Sequence, residues 1–185
     1  MITITKDPQK SIIYREQFEV VRPLGNEELT ESAIRSITEA LWERRASPRL
    51  RCPEIKFTDE GRNVYLPDFH RIMLSERFAT TLLHELAHAV VAAIGRTLFT
   101  EDHGPLFCYE YGMLWSEYTT SDFEIWKKRW EDVGIKVSSS RPNFEDERWA
   151  LPKRRNVAVR PATDAIRSEL EIQEIFTSIR SHPLA

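Results

Sequence analysis

His84-Glu85-Leu86-Ala87-His88 is the stretch whose reading decides the fold. Around it Leu82, Leu83, Leu86, Val90, Val91 and Ile94 recur at helical spacing. Ser75 is the expected N-cap, with Glu76 in the first turn, and Gly95 is a good residue to follow the C-terminus. A helix is therefore expected from about Glu76 to Ile94. Residues four apart on a helix lie one above the other on one face. The imidazoles of His84 and His88 can thus share a metal ion without bending the backbone, and Glu85 stands beside them. Such a pair with an intervening glutamate is the pattern of a zinc site that activates water.

A third ligand is needed. Val91 and Ile94 stand where a longer motif of the HExxHxxGxxH kind has its glycine and third histidine, so that motif is excluded. Glu110 and Glu117 are available further on, as is His103 in His103-Gly104-Pro105. Gly104 allows a tight turn, and proline is favoured at the first position of a helix. His103 would then sit at the entry of a helix starting near Pro105, aimed back at the first one, and it is the favoured third ligand.

Working outward, three short strands are expected before the motif helix: Glu54–Thr58, Asn63–Leu66 and Arg71–Ser75, punctuated by Asp59-Glu60-Gly61 and Pro67-Asp68. The short link Asp59–Arg62 favours a hairpin between the first two. An N-terminal helix is expected over Glu27–Arg45, on Leu29, Ile34, Ile37, Ala40 and Leu41. Residues 2–5 and 11–21, rich in β-branched and aromatic types, read as strands. After the motif come helices from about Pro105 and over Ser121–Asp132, a loop from Val133 to Asp146, a basic segment from Arg148 to Arg160, and a helix from about Thr163 to Arg180. The expected organisation is one metallopeptidase domain over residues 1–135, with its core at about 27–118, then a loop, basic segment and C-terminal helix over 136–185.

Composition narrows the function. The 185 residues are 41% hydrophobic and 30% charged, as in an ordinary globular chain. A net charge of −3 gives no global attraction to nucleic acid or anionic membrane. Cys52 and Cys108 are too few for a zinc ribbon and read as reduced thiols. No run approaches the roughly 18 apolar residues that span a bilayer, and Met1–Tyr14 has no apolar signal region. A cytoplasmic location is expected. Locally, Trp126 and Trp130 flank Lys127, Lys128 and Arg129, a pattern read first as a helix that packs its aromatic face and exposes its charges, and second as a nucleic-acid surface. Arg148, Lys153, Arg154, Arg155 and Arg160 form a second basic run that could meet phosphates. His70 and His182 read as non-ligands.

His84–His88 together with His103-Gly104-Pro105-Leu106-Phe107, at an interval of 19 residues, resembles the SprT-like metalloprotease family. The Ile72-Met73-Leu74-Ser75 strand and the Thr81-Leu82-Leu83 lead-in are similar too, so the resemblance covers about residues 30–118. It implies an α+β, zincin-like fold, with a small mixed sheet packed on the active-site helix and the N-terminal helix. It implies Zn²⁺ held by His84, His88 and His103, and protein substrates that include DNA-associated ones. Three neutral histidines leave zinc its full charge and one open position, and Glu85 would serve as the general base. Tyr65, Tyr109, Tyr111 or Arg77 would assist, and Glu101 or Asp102 would either orient a ligand ring or be solvated loop carboxylates. Two other readings stay open: a regulator-specific protease similar to the ImmA/IrrE type, which would need a glutamate as third ligand, and a non-catalytic zinc-stabilised binding module.

Overall fold

The computed structural model describes residues 7, 9–22, 27–46, 50–94 and 103–141. The chain divides at Ala150 into two units, and all the described residues belong to the first. The strand expected at 2–5, the residues Gly95, Glu101 and Asp102, the basic segment 148–160, the C-terminal helix and His182 lie outside the described residues.

The architecture is α+β, with five α-helices and a three-stranded mixed sheet among the described residues. The helices are α1 (Lys10–Glu16), continued by a π-helical segment (Gln17–Val21), α2 (Glu31–Arg45), α3 (Ala79–Ala93), α4 (Pro105–Thr119) and α5 (Phe123–Asp132). The strands are β1 (Glu54–Phe57), β2 (Val64–Leu66) and β3 (Arg71–Leu74). None of these helices is long and apolar enough to cross a membrane.

Helix α3 is the centre of the molecule. It touches α2, α4, β2 and β3, and every one of its residues except His88 is buried. A helix apolar on all sides belongs inside a core. Here the only polar side chains of its middle, His84, Glu85 and His88, therefore have to be satisfied by one another, by neighbours or by a bound group. The helix starts later than expected. Phe78 is its N-cap, without a side-chain cap bond, because 77–78 are held extended by a bridge between Glu28 and Phe78 and by Leu29 N–H donating to Arg77 O at 2.7 Å. Ser75 instead donates to the Asn63 side chain from its backbone N–H (2.8 Å) and its hydroxyl (3.2 Å).

The strands fall where expected, but their pairing does not. The order is β1-β3-β2, with β1 parallel and β2 antiparallel to β3. The hairpin joins β2 and β3, through a turn at 67–70 with Phe69 N–H bonded to Leu66 O and His70 N–H to Pro67 O. His70 takes a left-handed backbone (φ 47°), the strained conformation that reverses the chain. Parallel pairing needs a long connection, and β2 itself, within 58–70, is that connection. Ile55, Ile72 and Tyr65 stand in register across the three strands and are all buried, forming the row of the sheet that meets the core.

Residues 11–21 are helical, not a strand. Burial falls at Gln9, Ile13, Glu16 and Val21, the spacing of one helix face rather than alternation. The last interval, five residues, is taken up by the π segment. Thr30 caps α2, accepting from Ala33 N–H at 3.1 Å, so that helix begins at Glu31. Asp122 caps α5, accepting from Glu124 N–H at 3.0 Å. Trp126 and Trp130 are buried, and α4 and α5 approach closely at Gly112, where a Cβ would stand 2.9 Å from the Phe123 ring and 3.0 Å from that of Trp130. The aromatic face of α5 is a packing face.

Candidate metal centre

His84 and His88 come from successive turns of α3, and His103 from the non-helical entry to α4. The three ring centroids form a near-equilateral triangle with sides of 5.0, 5.1 and 5.0 Å. One potential ligand atom from each lies within 4.8 Å of the others, and Nε2 of His84 is 3.2 Å from Nε2 of His103. Two nitrogens bound tetrahedrally to zinc at about 2.0–2.1 Å are themselves about 3.3–3.4 Å apart. The pair already has the spacing that a shared ion imposes, so these residues fit a metal ion.

The electrostatics agree. Burial holds His84 well below the ordinary imidazole range and pushes His88 down to about 3, with the neighbouring histidines and Lys10 adding to the effect. Both rings are neutral at neutral pH, with lone pairs free for a cation. Phe107, one turn into α4, packs against all three rings at centroid distances of 5.1, 4.5 and 4.8 Å, an apolar wall that fixes them. From α1, the Tyr14 ring lies 5.4 Å from both His84 and His103.

Glu85 is buried and its Oε2 accepts the Tyr65 backbone N–H at 2.7 Å. Burial pushes its carboxyl up to about 7, against the lowering effect of that hydrogen bond. Tyr65 lies on the edge strand β2, and its N–H is turned to the helix. Its side chain is pinned elsewhere. The Arg51 carbonyl can only accept, so His70 Nε2–H donates to it (2.6 Å), and Nδ1 then accepts from the Tyr65 hydroxyl (2.8 Å). His70, as expected, stands outside the three-histidine cluster.

The downstream glutamates are committed to other partners. Glu110, fully buried, accepts from Arg45 Nε at 3.2 Å and Nη2 at 2.7 Å, with Arg141 Nε 3.5 Å from its second oxygen. Glu117 is 3.5 Å from Arg45 Nη1. Gly104 has extended backbone (φ −71°, ψ 179°), open to any residue, so the turn that brings His103 back does not depend on glycine's freedom. Of the assisting residues expected, Tyr111 lies near the cluster, its ring 5.6 Å from that of His84. Tyr65 is tied to His70, Arg77 pairs with Glu31 at 3.2 Å, and Tyr109 packs on Phe123.

Sequence reasoning missed Asp7 and Tyr14. Asp7 Oδ2 is 2.5 Å from His103 Nδ1, a contact between residues 96 positions apart. It lies between the stretches 2–5 and 11–21 that read as strands, and no local pattern announces it.

No family model, no curated protein and no solved structure gives a significant match to the chain.

Proposed function

We propose that the protein is a zinc-dependent metallopeptidase of zincin-like, SprT-type design, hydrolysing peptide bonds in protein substrates. The single observation that carries this reading is the convergence of three histidines at ligand spacing, two of them held neutral by burial, with a buried glutamate next in sequence to the first. A binding module needs the ligands but not Glu85, whose burial beside them costs stability without holding a metal.

His84, His88 and His103 would hold the ion. Zinc so held would supply Lewis acidity and the means to activate a water at neutral pH. Glu85 accepts a proton from the attacking water and delivers it to the leaving amine. The Tyr65 N–H keeps that carboxylate in place, and Phe107 excludes water behind the ligands. His88, half-buried where the rest of α3 is buried, marks the side on which the site meets solvent. Glu110 and Glu117, paired with Arg45, disfavour the glutamate-ligand alternative. The substrate class is protein. Trp126 and Trp130 are buried and are not offered to DNA for stacking.

The test is cleavage of an unstructured protein such as casein. The zinc-loaded chain is expected to cut it, to stop on chelation and to resume on zinc addition. Cleavage unaffected by chelation, or none by the fully loaded chain, would overturn the reading.

A further inference from the structure

The three histidines are not held alike. His84 and His88 are fixed by the helix that carries them, one turn apart on α3. His103 precedes α4 and has no helix to orient it. Its position is set by residues from the far N-terminal end of the described chain. Asp7 Oδ2 meets its Nδ1 at 2.5 Å, with the two side chains 14% and 4% exposed. Gln9 Nε2 donates to its carbonyl at 3.0 Å, while Gln9 Oε1 accepts from the Lys136 backbone N–H. The ring is gripped at its outer nitrogen and the main chain at its carbonyl, by side chains two positions apart. By contrast, Nδ1 of His84 is buried with no hydrogen-bond partner among the described residues.

We propose that Asp7 is a positioning residue for the metal centre, working through His103. A carboxylate only accepts, so Nδ1 of His103 carries the proton and Nε2 presents its lone pair towards Nε2 of His84. The same bond makes the imidazole a stronger donor to a cation and removes its rotational freedom. The N-terminal segment is thereby part of the metal site: it turns a two-histidine helix into a three-histidine centre. This rests on the reading of His84, His88 and His103 as ligands.

The experiment is zinc affinity by competition with a chromophoric chelator, on the full chain and on Asp7→Ala, Asp7→Asn, His103→Ala and the double variant Asp7→Ala/His103→Ala. Loss of the carboxylate is expected to weaken zinc binding by about 10–100-fold. Asp7→Asn, which keeps an acceptor but not the charge, should fall between Asp7→Ala and the parent, and guards against an effect of misfolding. Once His103 is gone, Asp7→Ala should cost nothing further, a coupling that a merely structural role would not produce. If His103→Ala weakens binding but Asp7→Ala stays within about two-fold of the parent, or costs as much without His103, Asp7 does not position the ligand. If His103→Ala itself binds zinc like the parent, the three-histidine reading falls, and the role of Asp7 with it.

Discussion

Glu85 is held in a position that folding alone would not choose. Burial raises its carboxyl from the ordinary 4.5 to about 7, and one backbone hydrogen bond offsets only part of that. Between those values the folded chain binds a proton that the unfolded chain has released, so in the metal-free protein this group lowers stability as pH rises. Glu85→Gln abolishes the titration. Its stability relative to the parent should therefore grow from pH 4.5 to above 7, by about 3 kcal/mol if the full shift is expressed. Urea unfolding of both metal-free proteins at pH 5 and pH 8 measures this, and an equal gap at the two pH values would refute it. His84 and His88 titrate in both proteins, so their contribution cancels in the comparison. A residue that weakens its own fold at working pH is expected where chemistry, not packing, fixes the choice of side chain.

At the scale of elements, α4 is anchored by a buried ion pair as well as by its apolar face. Glu110 has no solvent access and depends on Arg45 of α2, with Arg141 behind it. Removing one partner of such a pair leaves a buried charge, at a cost of about 3–5 kcal/mol. Arg45→Met should lose that much in urea unfolding, and replacing Glu110 by Leu as well should recover most of it. A loss below about 1 kcal/mol in the single variant would show the pair to be unimportant. The legible elements were those with local punctuation. Pro105 announces the start of α4, and the prolines, glycine and aspartates between 53 and 68 bound the strands to within a residue. Pairing was not legible, because the links at 59–62 and 67–70 both carry turn residues, and packing alone makes the second the hairpin while the first crosses to the far edge. Helix α1 was hidden because Ile12, Ile13 and Tyr14 favour strands, and only the burial of Ile13 and Glu16, which line a cavity with Cys108, Tyr111 and Trp130, makes it a helix face.

At the scale of the whole molecule, the candidate site joins the N-terminal end of the described residues to their middle. Asp7, Gln9 and Tyr14 from the N-terminal side meet His84 from the central helix and His103 from the entry to the next. The three-histidine cluster was readable because its spacing is dictated by one helix and one helix entry. The second layer was not, because its contacts span 94 and 96 positions and follow from packing alone. The proposed function requires Glu85 to act as a base rather than as a ligand or a structural acid. The most direct test compares zinc-loaded parent with equally zinc-loaded Glu85→Gln, measuring bound zinc per chain and the rate of casein cleavage together. We expect unchanged zinc and a loss of rate of at least about 10²-fold, the usual contribution of a general base. A Glu85→Gln protein that cuts as fast as the parent would contradict the account.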